Sequence, residues 1–173
     1  MLVVSPSDIR SSIQQSSSSS AAPSLFPAAK LLGTRVKVVP SKGDGSLEAA
    51  TLKRFITSQT ALIFLSAPNQ STGTCDPIDY IAKVALRYHI PLHVDCCAGG
   101  LILPFLELCH FHLSSFDFRL LGVSSISIDL SSSSHSPSSC ALTLFRDEQT
   151  MKAAVFPLVD YPGGLYASPS LSD

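Results

Sequence analysis

The sequence predicts an α/β protein in which helices flank a mostly parallel β-sheet, and three observations support this fold class. Strand-like and helix-like segments alternate along the chain, as in parallel sheets whose strands are joined by helices. Thr60–Ser66 is a nearly continuous apolar run of strand length, which is typical of a strand covered on both faces. Pro91–Asp95 is a second apolar run, and it ends in a carboxylate shortly before Gly99 and Gly100. Ligands of open α/β sheets bind at the carboxyl ends of strands, so Asp95 is the first candidate site residue. A turn-forming aspartate is the alternative.

The composition indicates a piece of a larger folded body. The chain has 173 residues, 45% of them hydrophobic, which is enough for one domain with a sizeable core. Only 14% of the residues are charged, which is low for a domain that must cover its own surface. The net charge of −1 gives no electrostatic basis for binding nucleic acid or an anionic membrane. No apolar run reaches membrane-spanning length, and no signal peptide is predicted.

The first elements of the chain are a short strand, a polar segment and a helix. Leu2–Ser5 is a candidate strand. Pro6–Ala22 contains a run of five serines, and we expect disorder because it has too little apolar surface to offset the entropy of ordering. Ser24–Leu32 has helical spacing, and Gly33 occupies the usual position after a helix.

The next elements lead to the central strands. Arg35–Val39 is a short β-rich run, and Leu47–Ser58 is a predicted helix that Ser46 or Asp44 can cap. After the strand at Thr60–Ser66, the next predicted helix begins at Asp76-Pro77, a capping residue followed by proline at the first helical position. Its predicted buried stripe consists of Ile78, Ile81, Ala82, Ala85 and Leu86.

The remaining elements follow the strand at Pro91–Asp95. Leu101–Phe111 is a short helix or a buried loop interrupted by Pro104. Two further strands are predicted at Gly122–Leu130 and Ala141–Phe145, separated by a serine-rich loop. A last helix covers Asp147–Val155, and we expect Pro157–Asp173 to be irregular.

Three segments resemble one enzyme family in the same order and at compatible spacing. His93–Phe105, HVDCCAGGLILPF, is similar to the HVDA-x-x-GGF-x-x-PF segment of sphingosine-1-phosphate lyases, a branch of the pyridoxal-phosphate (PLP) group II decarboxylases. Phe116–Asp129, FDFRLLGVSSISID, is similar to FDFR-x-x-GV-x-SIS-x-D. Tyr161–Pro169, YPGGLYASP, is similar to W-x-GG-x-Y-x-SP. The similarity runs from about Ala22 to Ser170, which corresponds to a middle portion of a full-length family member.

The resemblance implies a fold, a domain division and a reaction. The fold is part of the large domain of a fold-type I PLP-dependent transferase. Residues 1–22 are then a flexible serine-rich segment, 23–160 a partial large domain, and 161–173 an irregular tail that leads toward a small domain. The implied reaction is cleavage of a phosphorylated sphingoid base into a fatty aldehyde and phosphoethanolamine, in sphingolipid catabolism. A relative that decarboxylates amino acids is the alternative within the family.

The resemblance also assigns cofactor-binding roles to one strand. Asp95 matches the carboxylate that holds the pyridinium nitrogen of PLP in its protonated form. Cys96 occupies the position where the family has an alanine near the ring face. His93 begins the same strand and is either a ring-proximal ligand or a structural histidine.

Two residues of the family's active site are replaced in this chain. The family continues SIS-x-D with T-H-K, and the ungapped register puts Ser132 at the Schiff-base lysine. Serine has no amine, and the next lysine, Lys152, is 20 residues further on, so we expect no covalent attachment of PLP and little or no catalysis. Ala22 occupies the position of the histidine that stacks on the cofactor ring. The two replacements have three alternative origins: relaxed catalytic function, a truncated copy of the gene, or an error in the gene model.

Other functional interpretations have weaker support. Serines, His135 and Asp129 lie close in sequence, but no GxSxG motif accompanies them. The histidines have no diagnostic metal spacing, so we predict no metal site.

The cysteines indicate where the protein resides. The five cysteines form no CxxC pair, which favours reduced thiols in an intracellular protein, and for this sequence we expect the cytoplasm. By resemblance, full-length family members belong to the endoplasmic reticulum membrane. A homodimer, or a heterodimer in which this chain is a non-catalytic partner of a complete lyase subunit, is the expected assembly.

Overall fold

The computed structural model describes residues 2–3, 25–43, 45–131, 140–154, 156–158 and 166–168, with backbone only at 2–3, 156–158 and 166–168. The strands are β1 (Leu2–Val3), β2 (Ile63–Ser66), β3 (Leu92–Asp95), β4 (Val123–Asp129), β5 (Ala141–Phe145), β6 (Phe156–Leu158) and β7 (Tyr166–Ser168). The helices are α1 (Leu25–Leu31), α2 (Ala49–Phe55), α3 (Ile78–Tyr88), α4 (Leu103–Leu108) and α5 (Glu148–Ala154).

The main sheet has five strands in the order β1-β2-β3-β4-β5. Its centre is parallel: β2 pairs with β3, and β3 pairs with β4. The two outer strands, β1 and β5, run antiparallel to their neighbours. Helices α3 and α4 lie in the two connections between the parallel strands. The predicted α/β class with a mostly parallel sheet is confirmed. The antiparallel direction of the two edge strands was not predicted.

The central strands separate an apolar face from a polar face. Side chains of β2, β3 and β4 belong to one hydrophobic core, together with residues of α2, α3 and α4. The core strand residues include Ile63, Leu65, Leu92, Val94, Val123 and Ile126. The intervening positions of β3 and β4 are polar and include His93, Asp95, Ser125 and Ser127. Since successive side chains of a strand point to opposite faces, these polar residues line the face away from the core.

Helix α3 forms where it was predicted, but its buried stripe and its N-terminal cap differ from the prediction. Helix α3 buries Ile78, Ile81, Ala82 and Ala85 as predicted, whereas Leu86 is 50% exposed. Asp76 does not cap this helix: Pro77 is the N-cap, and Asp76 Oδ2 accepts a hydrogen bond from the Ser66 amide at 2.8 Å. The Asp76 side chain therefore bonds to the end of β2 and does not cap α3.

Two further expectations for the first half of the chain are wrong, and one is confirmed. Arg35–Val39 is not a strand, although Val39 is fully buried in the core. Helix α2 begins after Glu48, which makes no side-chain capping bond, so Ser46 is not its cap. Asp44 lies outside the described residues. Gly33 follows α1 with φ of +63°, as the predicted helix stop requires.

The second half of the chain differs from prediction at two places. Pro104 lies in the first turn of α4, where a missing amide costs no helical hydrogen bond, so it begins the helix rather than interrupting it. The segment expected to be irregular, Pro157–Asp173, contains all but the first residue of β6 and the whole of β7, which pair antiparallel with each other. Long apolar helices are absent from the described part of the chain, and none there could span a membrane.

Glycine is required where α3 approaches the beginning of β4. A Cβ atom at Gly122 would overlap the backbone carbonyl of Ala82 in α3. At Gly100, a Cβ would lie 2.9 Å from both the Cys96 carbonyl oxygen and Ile128 Cγ1. The missing side chains let α3 approach the beginning of β4 and let Gly100 approach Cys96 and Ile128.

Candidate functional site

Asp95 is the last residue of β3 and lies at the carboxyl end of the parallel centre of the sheet. Its side chain is buried, with 9% of the residue exposed. Oδ1 accepts hydrogen bonds from the Cys97 amide at 3.0 Å and from Ser127 Oγ at 3.2 Å. Among the described residues, no N–H or O–H is donated to Oδ2. The Cys97 thiol also hydrogen-bonds to this carboxylate. The protein thus fixes Oδ1, and the carboxylate lies at the strand ends, where ligands of such sheets bind.

His93 lies on the same face of β3, two residues before Asp95. Its Nδ1 is 2.8 Å from Ser125 Oγ, and its Nε2 is 3.1 Å from Ser127 Oγ, both on β4. The ring also packs against Phe64 of β2, with 4.9 Å between centroids. Both ring nitrogens are therefore engaged by protein hydroxyls, which favours the structural-histidine alternative over a direct ligand contact.

Ser127 connects the two candidate residues. Its Oγ is within hydrogen-bond distance of His93 Nε2 and Asp95 Oδ1, and Cys97 Sγ lies 3.7 Å away. The strand register explains this arrangement because Ser127 is the β4 partner of Asp95. Ser125, Ser127 and Cys97 were not predicted as site residues. The alternating polar pattern of VSSISID was the available signal, but its use requires knowing which strand pairs with β3.

Burial shifts the pKa values of the neighbouring side chains. Burial lowers the pKa of His93 to about 4, although the negative charge of Asp95 opposes this shift. Burial raises the pKa of the Cys97 thiol to about 12, and both the hydrogen bond to Asp95 and the negative charge of Asp95 add to this increase. At neutral pH, the site therefore contains an uncharged imidazole and an uncharged thiol beside the carboxylate.

Cys96 is not part of this cluster. Its side chain is fully buried in the hydrophobic core, and burial raises the pKa of its thiol far above the ordinary value. It lines an apolar cavity of about 360 Å³ with residues that include Ile126, Ile128 and Leu144. The structure brings Asp95 and His93 together and leaves Cys96 on the opposite face of the sheet.

The remaining two predicted site residues, Ala22 and Ser132, lie outside the described residues. Of the described lysines, Lys152 pairs with Glu148 on α5 at 2.8 Å. None of the ion pairs formed among the described residues involves Asp95. His/Cys/Asp/Glu groups that could hold a metal ion are likewise absent from this part of the chain.

The lowered pKa of His93 predicts a pH dependence of stability. In the folded chain the ring stays neutral down to about pH 4, whereas in the unfolded chain it becomes protonated near pH 6.5. The unfolded state therefore binds more protons in this window, and the contribution of His93 to stability falls as the pH falls from about 6.5 to 4. Urea unfolding of the wild type and of His93→Gln should diverge above this window and converge below it. A constant difference across this pH range would contradict the buried neutral ring.

The family model described as "Pyridoxal-dependent decarboxylase conserved domain" matches residues 4–163. Sphingosine-1-phosphate lyase 1 of Rattus norvegicus is 37% identical over 146 residues, which cover 84% of this chain and 26% of the relative. Sphingosine-1-phosphate lyase of Dictyostelium discoideum is 41% identical over 125 residues, covering 72% of this chain and 24% of the relative. The chain thus spans about a quarter of the length of these relatives.

Solved structures show the same relationship. The sphingosine-1-phosphate lyase of Burkholderia pseudomallei superposes with a TM-score of 0.85 at 33% identity, over 94% of this chain and 37% of that one. The glutamate decarboxylase of Lactobacillus brevis superposes with a TM-score of 0.77 at 23% identity, which shows the shared fold alone. The match of the family model over most of the chain means that this chain belongs to the pyridoxal-dependent decarboxylase family.

Proposed function

We propose that this chain is a sphingosine-1-phosphate lyase-like scaffold that binds PLP without a covalent bond and is catalytically impaired as written. The observation that supports binding is Asp95, a buried carboxylate at the mouth of the parallel strands with one oxygen fixed by the protein. The observation that supports impairment is Ser132 at the position of the family's lysine.

The described residues fit the pyridinium end of the coenzyme. A protonated ring nitrogen needs one hydrogen-bond acceptor, and Asp95 Oδ2 receives no N–H or O–H from the described residues. When bound, PLP supplies an electron-accepting ring. Asp95 would hold the proton on the ring nitrogen, and the bonds from Ser127 and Cys97 would keep the carboxylate in the required orientation. Of the predicted cofactor-binding residues, we retain Asp95 as the direct contact and His93 as its neighbour on the same face.

The substrate and reaction are proposed from the relatives. Their names identify sphingosine-1-phosphate lyases, so we propose a phosphorylated sphingoid base as the ligand class and carbon–carbon bond cleavage as the ancestral reaction. We also retain the division into an N-terminal segment (1–22), a partial large domain (23–160) and a tail (161–173). An intracellular setting is proposed as well, supported by five free cysteines.

Replacement of Asp95 by asparagine tests the binding proposal. Asparagine keeps the side-chain shape but removes the charge, and hydrogen bonds to charged groups contribute roughly 1.5–3 kcal/mol. We therefore expect PLP to bind the Asp95→Asn chain about 10- to 100-fold more weakly than the wild type, as followed by the absorbance of the coenzyme at equilibrium.

Asp79→Asn is the matched control because it removes one negative charge from an exposed position in the first turn of α3. We expect this variant to bind PLP as the wild type does. Equal binding by all three proteins would contradict the assignment of Asp95. Absence of binding by the wild type would contradict the proposed function itself.

A second candidate function is that of a non-catalytic partner of a complete lyase subunit. The specific observation is a run of exposed apolar side chains on and around α4: Ile102, Phe105, Leu108 and Phe111, which are 48–75% exposed. Exposed apolar patches are typical of surfaces that another protein covers. Co-purification with a full-length lyase that is lost on Phe105→Asp and Leu108→Asp replacement supports this function, and a monomer that ignores the lyase contradicts it.

A further inference from the structure

The hydrogen bonds between β3 and β4 form one continuous path that ends at Asp95. The path runs from Ser125 Oγ to His93 Nδ1, 2.8 Å, from His93 Nε2 to Ser127 Oγ, 3.1 Å, and from Ser127 Oγ to Asp95 Oδ1, 3.2 Å. Three hydrogen bonds require three protons, and each must be assigned to one of the four groups. The chemistry of these groups permits one assignment.

The assignment begins at the carboxylate. An ionised carboxylate can only accept, so the proton between Ser127 and Asp95 belongs to the Ser127 hydroxyl. A hydroxyl has one proton, and Ser127 must therefore accept the bond that it shares with His93. The proton of that bond belongs to His93 Nε2.

The neutral state of the ring completes the assignment. A neutral imidazole has one N–H, and the depressed pKa of His93 keeps it neutral at pH 7. With the proton on Nε2, Nδ1 is an acceptor, and Ser125 donates to it. All three bonds then point in the same direction, toward Asp95, and hydrogen bonds aligned in series strengthen one another.

We propose that Ser127 is a positioning residue, which holds His93 in the Nε2–H tautomer and directs its own hydroxyl proton to Asp95 Oδ1. The consequence for ligand binding rests on the proposed function, since Ser127 would orient Asp95 so that Oδ2 faces the coenzyme. The tautomer itself does not depend on any ligand. Nothing in the sequence motif distinguishes Ser127 from Ser125, whereas the structure gives them different roles.

The two serines provide the test. In Ser125→Ala, the Nε2–H still donates to Ser127, so the tautomer should remain. In Ser127→Ala, Nε2 loses its acceptor, while the Ser125 hydroxyl can accept or donate and therefore tolerates either tautomer. We expect the preference for Nε2–H to be lost in this variant. Ser127→Thr retains a hydroxyl at the same position of the strand, and we expect it to restore the preference.

The measurement is two-dimensional NMR of the full-length chain labelled with ¹⁵N-histidine, without coenzyme, in which the two ring nitrogens have different shifts when one is protonated. The His93 signal is assigned by its loss in His93→Gln. A single Nε2–H form in the wild type and Ser125→Ala, lost in Ser127→Ala and regained in Ser127→Thr, is the expected result. A Nδ1–H form in the wild type, or an unchanged Nε2–H form in folded Ser127→Ala, would overturn the proposal, and the wild-type spectrum decides even if a variant fails to fold.

The same variants separate this inference from the proposed function. PLP binding should weaken in Ser127→Ala and recover in Ser127→Thr. If the wild type binds no PLP but shows the Nε2–H form, the proposed function fails and the tautomer assignment stands. If PLP binding depends on Asp95 while Ser127→Ala leaves both the tautomer and the affinity unchanged, the positioning role of Ser127 fails and the proposed function stands.

Discussion

Replacing Gly122 with alanine should lower the free energy of unfolding by about 3 kcal/mol, the upper range for overpacking of a close-packed interior. The added Cβ would overlap the Ala82 carbonyl and would lie 2.6 Å from its carbonyl carbon and 2.9 Å from its Cα. These are backbone atoms of α3, which cannot rotate away as a side chain can. The helix must move away from the beginning of β4, which disturbs the packing beneath the candidate site. Urea unfolding followed by circular dichroism measures the change.

Gly43→Ala is the matched control for this substitution. A Cβ at Gly43 meets no atom within 4 Å, and the residue does not have a positive φ. We expect its effect on the free energy of unfolding to lie within about 0.5 kcal/mol of zero. If Gly122→Ala unfolds at the same urea concentration as Gly43→Ala, the close approach of α3 and β4 is contradicted.

Introducing lysine at Ser132 should convert non-covalent binding of the coenzyme into covalent attachment at that residue. The family resemblance places its Schiff-base lysine at this position, and a lysine amine supplies the nucleophile that serine lacks. After incubation with PLP and reduction with borohydride, we expect about one coenzyme per chain in Ser132→Lys, located at residue 132 by peptide mapping. The effect is close to all-or-none because the wild type has no amine at this position.

Ser134→Lys is the control for chemical reactivity alone. It adds the same amine to the same serine-rich stretch, two residues away from the aligned position. Adventitious modification of lysines would label Ser132→Lys and Ser134→Lys to the same extent, and that outcome would contradict the alignment of Ser132 with the family's lysine. If replacement of Asp95 also abolishes the labelling of Ser132→Lys, Asp95 and residue 132 bind the same coenzyme.

The central elements of the fold follow from local sequence patterns. Ala141–Phe145 was predicted with the bounds that the structure shows, and Thr60–Ser66 and Pro91–Asp95 each contain one of the central strands. Thr60–Ser66 is identifiable because burial on both faces requires nearly continuous apolar residues, and all four residues of β2 are buried. Ala141–Phe145 is an edge strand with mostly exposed residues, so its apolar residues do not report burial. Arg35–Val39 is rich in β-branched valine but forms no strand, although Val39 is buried in the core. Strand propensity describes a fit to a pleated surface, and here the tertiary contacts decide.

The candidate site was only partly predictable for a similar reason. Asp95 could be found because a carboxylate at the end of an apolar run is conspicuous. The roles of Ser125 and Ser127 depend on the register between β3 and β4, which shifts between Leu92 and His93. A local pattern contains no information about such a shift. The family resemblance placed Cys96 near the ring face of the cofactor, whereas in the structure its side chain lies in the hydrophobic core.

The mass of the wild-type chain after incubation with PLP and reduction with borohydride shows whether the coenzyme is attached to a lysine. We expect PLP to change the absorbance spectrum in a manner that depends on Asp95, while the intact mass shows no stoichiometric adduct on any lysine. An adduct on one native lysine, at about one coenzyme per chain and accompanied by lyase activity, would contradict the claim that this scaffold retains its carboxylate without the amine of its family.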